Sequence, residues 1–222
     1  MKQRIEHVIL DQHLWLTNDR TIFWEEENAL IVSDLHFGKT GHFRKSGIAV
    51  PATLYQEDLH RLLNNLVFFK AKKLIVVGDM FHSIANKELD LFEKWRNDLS
   101  YLSIHLIKGN HDILQKSWYE KVGIIIHEQS LLIAPFLFVH DLNAINAQPS
   151  ESNLYALSGH IHPGVLVKGM SRQKLRFPCF YFGNQQAILP AFSRFTGIMP
   201  IQYRKLDTVY AIVDSAIVKV SG

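Results

Sequence analysis

A 222-residue chain that is 47% apolar and 20% charged has an ordinary globular composition, which excludes a disordered or low-complexity protein. Its formal charge of +3 permits an acidic partner without demanding one. Cys179 is the single cysteine, so no intrachain disulfide can form and a reducing, cytoplasmic setting is expected. The first residues, Met1 to His7, lack the apolar core of a signal peptide. The longest apolar run, Leu131 to Val139, contains Pro135 and reaches about half of the ~20 residues a membrane span needs.

In chain order, residues 7 to 32 read as short strands, Val8 to Leu10, Leu14 to Leu16, Thr21 to Trp24 and Ala29 to Val32, divided by Asp/Asn turns. A glycine-punctuated basic loop, Gly38 to Gly47, leads to Pro51. Proline is favourable in a first turn, and a helix through about Phe69 would carry Leu54, Leu59, Leu62, Leu63 and Leu66 on one face. A strand at 73–77 and a helix over Lys87 to Leu99 follow, the latter with Leu91, Phe92, Trp95 and Leu99 as its stripe. A strand at 101–107 then precedes a short helix near Ile113 to Tyr119. From Gly123 onward the pattern is mostly strand: Ile124 to Ile126, Ser130 to Ile133, Phe136 to Val139, Leu154 to Leu157, Val165 to Val167, Phe180 to Phe182, Thr208 to Val213 and Ala216 to Val220. No repeat or linker divides the chain, so residues 1–222 are expected to form one α/β domain with two packed sheets.

Five of the apolar runs end in groups able to bind a metal. Ala29 to Val32 runs into Ser33-Asp34-Leu35-His36, Leu74 to Val77 into Gly78-Asp79, and Tyr101 to Ile107 into Lys108-Gly109-Asn110-His111-Asp112. Phe136 to Val139 ends in His140-Asp141, and Leu154 to Leu157 in Ser158-Gly159-His160-Ile161-His162. Ligands of open α/β sheets gather outside the carboxyl ends of strands, so these five termini predict one site. Residues i and i+2 at a strand end face the same side, which would turn both Asp34 and His36 toward one ion, and likewise His160 and His162. Gly78 lets the backbone turn sharply before Asp79.

The donors Asp34, His36, Asp79, Asn110, His140, His160 and His162 comprise two carboxylates, four imidazoles and an amide, with no thiolate. Such a set suits Mn²⁺, Fe or Zn²⁺ in a reactive site and argues against a zinc finger. Seven donors exceed the needs of one ion and match two ions sharing a carboxylate, the usual clamp for displacement at phosphorus.

The series Asp-x-His, Gly-Asp, Gly-Asn-His-Asp, a lone strand-end His and Gly-His-x-His, spanning residues 34 to 162, resembles the calcineurin-like metallophosphoesterase superfamily. The resemblance implies a four-layer α/β/β/α sandwich of two mixed β-sheets flanked by helices. It implies one ion held by Asp34, His36, Asp79 and His162, and another by Asp79, Asn110, His140 and His160. Asp79 and a nucleophilic hydroxide would bridge them, and His111, oriented by Asp112, would protonate the leaving oxygen.

Asp34-Leu35-His36-Phe37-Gly38-Lys39, Phe43 to Pro51, Leu189-Pro190-Ala191-Phe192 and Phe195-Thr196-Gly197 are similar to the ICC-like branch, and within it to bacterial DNA-ligase-associated DNA damage response endonucleases. That similarity implies a Mn²⁺-dependent phosphodiesterase acting on DNA, single-stranded by preference, in DNA repair and linked to a DNA ligase and a helicase. Two departures stand out: His82 where many relatives carry Asp, and Asp141 after His140 where many carry Gly.

Lys39, His42, Arg44 and Lys45 follow the first ligand pair closely and are candidates for holding substrate phosphates, against the alternative of a solvated loop. His82 is a candidate to line the substrate path or support a ligand. His7, His13, His60, His105 and His127 read as structural. Phe180 to Phe182 could stack bases, but a core strand is the simpler use. A basic stretch, Lys168 to Arg176, follows His162 as a weaker phosphate-binding candidate. Two other functions fit parts of the pattern. A phosphatase or phosphodiesterase of a nucleotide or other small ester would use the same residues. A non-catalytic scaffold would be expected to lack ligands, and none is missing here.

Overall fold

A computed structural model describes residues 3–39, 53–82, 87–144, 154–168 and 174–221. Four antiparallel strands open the chain: β1 (Arg4–Ile9), β2 (Gln12–Thr17), β3 (Ile22–Trp24) and β4 (Ala29–Val32). Helix α1 (Thr53–Phe69) leads to β5 (Lys73–Val77), helix α2 (Lys87–Asp98) to β6 (Ser103–Ile107), and helix α3 (Lys116–Lys121) to β7 (Ile124–His127). Strands β4 to β7 are parallel, completing a mixed seven-stranded sheet in sequence order.

The second sheet is built from β8 (Ser130–Ile133), β9 (Phe136–Val139), β10 (Tyr155–Ser158), β11 (Pro163–Lys168), β12 (Lys174–Phe182), β13 (Gln186–Ile188), β14 (Met199–Pro200), β15 (Thr208–Val213) and β16 (Ala216–Ser221). Its main path runs β14-β11-β12-β13-β10-β9-β8, with β15 joined to β12 and β16 to β15. β9, β10 and β13 are parallel neighbours.

Alternation along the central strands separates two cores. In β4 and β5, Leu30, Val32, Leu74 and Val76 face the helices, packing with Leu59, Leu62 and Leu66 of α1 and Phe92 and Trp95 of α2. Ala29, Ile31, Ile75 and Val77 face the second sheet, meeting Phe136, Phe138, Leu157, Phe180 and Tyr210. Burial on both faces is why these strands are continuously apolar. A smaller cluster, Val165, Cys179, Val209 and Ala211, lies on the other face of the second sheet. Two mixed sheets packed face to face, with helices on the outside of the first, bear out the sandwich expected from the motifs. No helix among the described residues is long and apolar enough to cross a membrane.

Several expected boundaries are corrected. The stripe of α2 uses buried Leu89, whereas Leu91 is exposed. The strand expected from 101 begins at Ser103, because Tyr101 points to solvent. The helix expected at Ile113 begins at Lys116, because the preceding turn is held by Asp112 N–H to Gly109 O and Ile113 N–H to His111 O. Among the expected elements, the start of the first helix at Pro51 lies outside the described residues.

Candidate metal centre

Register brings the five polar termini together. Val32 pairs with Val76, Val77 with Ile107, and Val139 with Ser158, so β4, β5 and β6 of one sheet and β9 and β10 of the other end at matching levels. Beyond β4 and β5 the loops stay joined: Asp34 N–H bonds Gly78 O (3.1 Å), His36 N–H bonds Asp79 O (2.9 Å) and Phe37 N–H bonds Met80 O (2.9 Å). Apolar Leu35 and Phe37 point into the helix-side core, which leaves Asp34 and His36 for the site.

Asp34 and His36 do converge, by a different geometry from the one expected. Neither lies in an extended strand; both adopt left-handed backbone, with φ of 53° and 50°. Asp79 (51°), His160 (67°) and His162 (53°) do the same. For residues other than glycine this conformation is sparsely populated and costs about 1 kcal/mol each, a form of strain that clusters at functional sites. The i, i+2 rule also fails to keep His160 and His162 together: His162 Nε2 lies 3.3 Å from Asp34 Oδ1, whereas His160 Nδ1 lies 3.3 Å from His140 Nε2.

Two close groups result among the described residues. Donor atoms of Asp34, His36 and His162 lie within 4.8 Å of one another, as do those of Asp34, Asp79 and His140. Asp34 is common to both, and Asp79 Oδ2 stands 3.5 Å from His140 Nε2. Close packing at glycine permits this. A Cβ at Gly78, itself at φ +79°, would fall 2.0 Å from His140 Nδ1, and one at Gly109 would fall 2.2 Å from Asp79 Oδ1.

The chemistry of the donors fits a divalent cation. Asp34 Oδ1 and His36 Nδ1 are buried without a hydrogen-bond partner among the described residues. Burial holds the His36 imidazole down to about 3, the opposing charge of Asp34 notwithstanding, so it presents a neutral ring. Burial pushes the Asp79 carboxyl up, but the hydrogen bond and charge of His140 outweigh it and hold it below the ordinary carboxylate range. Burial lowers His140, and its contact with Asp79 more than compensates, raising it to about 9. Its Nδ1 is 3.0 Å from Val77 O, leaving Nε2 for the site. A buried carboxylate oxygen that accepts no hydrogen bond is costly, and a cation offsets that cost.

Around this centre, His111 N–H donates to Asp79 Oδ1 (2.9 Å), and its ring, half exposed, places Nε2 3.9 Å from Asp79 Oδ2. Asp112 was expected to orient that ring and does something else. Its two oxygens accept Phe81 N–H (3.0 Å) and Gly109 N–H (2.9 Å), tying the loops after β5 and β6 together. Burial pushes the Asp112 carboxyl up to about 7, against those two amides. Asn110 is exposed on the same loop between Gly109 and His111. His82 belongs to the site, its ring 4.3 Å from His111 and 5.7 Å from His36 between centroids. Burial lowers the pKa of the Lys39 ammonium, against the charges of Asp79 and Asp34. Arg44 and Lys45, with His42, lie outside the described residues.

Sequence reasoning missed the supports of Asp34. Ser33 Oγ lies 2.5 Å from Asp34 Oδ2 and 2.9 Å from Val77 O, and His160 N–H donates to Asp34 Oδ2 (3.1 Å). Phe192 N–H bonds Ser33 O (2.7 Å) and Ser193 N–H bonds Asp34 O (3.2 Å). That segment is held in turn by Arg20, which donates to Ala191 O and Ser193 O, and by Arg61, which donates to Phe192 O. The Leu189-Pro190-Ala191-Phe192 motif was the available signal. Asp141, which departs from the glycine usual after this histidine, lies 3.9 Å from His160 Nε2.

A family model described as calcineurin-like phosphoesterase matches residues 28–187. The chain belongs to that family. This phosphoesterase is accordingly a hydrolase of phosphoric ester bonds that uses divalent metal ions. A solved nuclease, MPE of Pseudomonas putida, superposes with a TM-score of 0.80 at 29% identity, over 99% of this chain and 100% of that one. YfcE, a phosphoesterase from E. coli, shares 14% identity over 87% of this chain and 98% of its own, with a TM-score of 0.46. No curated protein sequence matches the chain.

Proposed function

We propose that this phosphoesterase is a phosphodiesterase of DNA, an endonuclease acting on single strands. The observation that carries the reading is the donor geometry: buried carboxylate and imidazole atoms from both sheets, in two groups that share Asp34 and each lie within 4.8 Å, beside a half-exposed histidine. The whole-length likeness to a nuclease supports nucleic acid as the substrate.

Asp34, His36, Asp79 and His162 would hold one divalent ion, and Asp79, Asn110, His140 and His160 a second; Mn²⁺ suits the mixed donors, as do Fe and Zn²⁺. When bound, such ions polarise the phosphate ester and lower the pKa of water. Asp79 is proposed as the shared ligand because the motif resemblance implies it, whereas the apposition of donor atoms gives Asp34 a place in both close groups. His111 Nε2 is the proposed general acid, giving its proton to the departing sugar oxygen, with its backbone fixed by Asp79 and its loop fixed by Asp112. Lys39 is proposed to meet the non-bridging phosphate oxygens, together with Arg44 and Lys45. His82, against the His111 ring, would line the leaving-group side. A place in DNA repair, beside a DNA ligase and a helicase, rests on the motif resemblance alone, and a cytoplasmic setting on the single cysteine.

The test is a Mn²⁺-supplemented assay of purified protein on single-stranded DNA, duplex DNA and bis-p-nitrophenyl phosphate in parallel. Cleavage within single strands, faster than in duplex, is the expected result. Turnover of the small diester with neither DNA cut would instead support a small-ester hydrolase.

A further inference from the structure

At Asp34 every polar atom but one is committed. Its N–H bonds Gly78 O (3.1 Å), its carbonyl accepts Ser193 N–H (3.2 Å), and Oδ2 meets Ser33 Oγ and His160 N–H. Oδ1 accepts no hydrogen bond among the described residues and stands 3.3 Å from His162 Nε2. The left-handed backbone of Asp34, at φ 53°, persists only where its surroundings over-determine it. Two of those restraints come from the segment after β13: Ser193 N–H on Asp34 O, and Phe192 N–H on Ser33 O (2.7 Å). That segment belongs to no strand or helix, so something else must hold it in place.

Two arginines hold it. Arg20, in the turn between β2 and β3, donates from Nη1 to Ala191 O (3.0 Å) and Ser193 O (2.9 Å). Arg61 of α1 donates from Nη2 to Phe192 O (2.5 Å) and to Asp58 Oδ1 (2.8 Å), its guanidinium 4.0 Å above the Phe192 ring. Each of these carbonyls shares a rigid planar peptide with the amide of the next residue. The peptide joining Ala191 to Phe192 has Arg20 at its oxygen and Ser33 O at its N–H. The peptide joining Phe192 to Ser193 has Arg61 at its oxygen and Asp34 O at its N–H. A charged donor at the oxygen polarises the peptide and strengthens the bond that its N–H makes. Such a device is costly for a mere loop staple. Burial, then the charges of Arg61 and Arg194, lower the Arg20 guanidinium to about 10 against the pull of Asp58, and burial lowers Arg61 as well. Apolar packing would pin the loop at less cost, but it could not fix peptide planes.

We propose that Arg20 and Arg61 are positioning residues of the metal centre. Through the two peptides that follow Ala191 they keep Ser33 and Asp34 in place and Asp34 Oδ1 turned to the ion. The inference rests on Asp34 being a metal ligand, and it adds residues that touch neither ion nor substrate. It is independent of which phosphoester is cut.

The experiment compares wild type with Arg20→Met, Arg61→Met and Arg20→Lys. Val209→Ala, in the buried cluster on the outer face of the second sheet, serves as a destabilised control. Mn²⁺ is titrated into each purified protein well below its Tm, and binding is read by calorimetry beside the Mn²⁺ dependence of bis-p-nitrophenyl phosphate turnover. Losing an outer support of a ligand costs about 10–100-fold in metal affinity, so each methionine variant should bind Mn²⁺ about tenfold or more weakly. The diester KM at saturating Mn²⁺ should be unchanged. Arg20→Lys should return to the wild-type Mn²⁺ affinity, because one nitrogen makes both Arg20 bonds and a lysine ammonium has donors for both. Val209→Ala should lower Tm and leave the Mn²⁺ affinity alone. Methionine variants with a lowered Tm and wild-type Mn²⁺ affinity would reduce the arginines to loop staples and overturn the inference. So would a Val209→Ala shift in affinity equal to theirs, or an Arg20→Lys variant as weak as Arg20→Met. If neither methionine variant folds, amide exchange in the wild type decides. Coupling is reciprocal, so Mn²⁺ should slow exchange at Phe192 and Ser193, and exchange there indifferent to bound Mn²⁺ would overturn the inference. An Asp34→Ala variant that binds Mn²⁺ as the wild type does would overturn the ligand reading itself, and the inference with it.

Discussion

Two side chains are asked to do different work within 4 Å of each other, and substitution separates them. Asp79 offers Oδ2 to the centre while Oδ1 accepts the His111 amide. Replacing Asp79 by Ala should remove metal and activity together, measured as bound ions per chain beside turnover; turnover surviving in a metal-free variant would end the shared-ligand role. His111 meets the centre through its ring, 3.9 Å from Asp79 Oδ2 and 5.5 Å from the His36 ring between centroids, and through its own amide. His111→Ala should therefore keep its ions and lose about 10²–10⁴ in rate on esters with poor leaving groups. A nitrophenolate leaving group needs no proton, so the loss there should be far smaller, and equal losses on both esters would remove His111 as the acid. At this scale the sequence was readable because donor chemistry is residue-specific. It did not reveal the left-handed turns, since Asp and His occur in many conformations. Nor did it reveal that Asp112 spends its oxygens on two backbone amides, a matter of tertiary placement.

At the scale of elements, long apolar runs such as β5 and β9 were legible because burial on both faces leaves no polar residue to confuse the pattern. The first half of β12, with Lys174, Arg176 and Pro178, was not: it pairs in an arm with an exposed face, and its composition resembles a loop. β13 and β14, of three and two residues, are too short to show a period. β1 supplies a titration test of how the sheets meet. Its His7 ring lies tilted against Phe182 of the second sheet, 3.9 Å between centroids, with Nδ1 3.2 Å from the Tyr210 hydroxyl. Burial, helped by the charge of Lys219, lowers its pKa from 6.5 to about 4. The unfolded chain therefore takes up this proton first. The stability tied to a neutral His7 is complete above pH 6.5 and is lost as pH falls from 6.5 to about 4. Discounted for the partial exposure of the ring, the loss is about 2 kcal/mol. In urea titrations across that window, His7→Phe should flatten the pH dependence by this amount. A variant that follows the wild-type curve would show that His7 titrates normally.

For the whole molecule, the decisive feature is that neither sheet holds the centre alone. Asp34 and Asp79 follow strands of the first sheet, and His140 and His162 follow or precede strands of the second, yet Asp34 lies 3.3 Å from His162 and Asp79 3.5 Å from His140. Between the sheets at that edge the contacts are polar, whereas the apolar core of Ile75, Val77, Phe138 and Leu157 lies behind them. Ions seated there bind the folded chain and have no equivalent site once the sheets part, so their binding energy adds to folding stability. At a free ion concentration one hundred times Kd the gain is about 2.7 kcal/mol per site, which for a protein of this size is a Tm rise of about 5–10 °C. Chelation should reverse that rise, and readdition of Mn²⁺ should restore it. A His140→Ala variant removes a donor that only the second sheet provides, so its Tm should respond less to the ion than that of the wild type. Parallel calorimetry of both proteins with chelator and with ion checks this, and a Tm indifferent to the ion in the wild type would mean that the two sheets are not joined through metal.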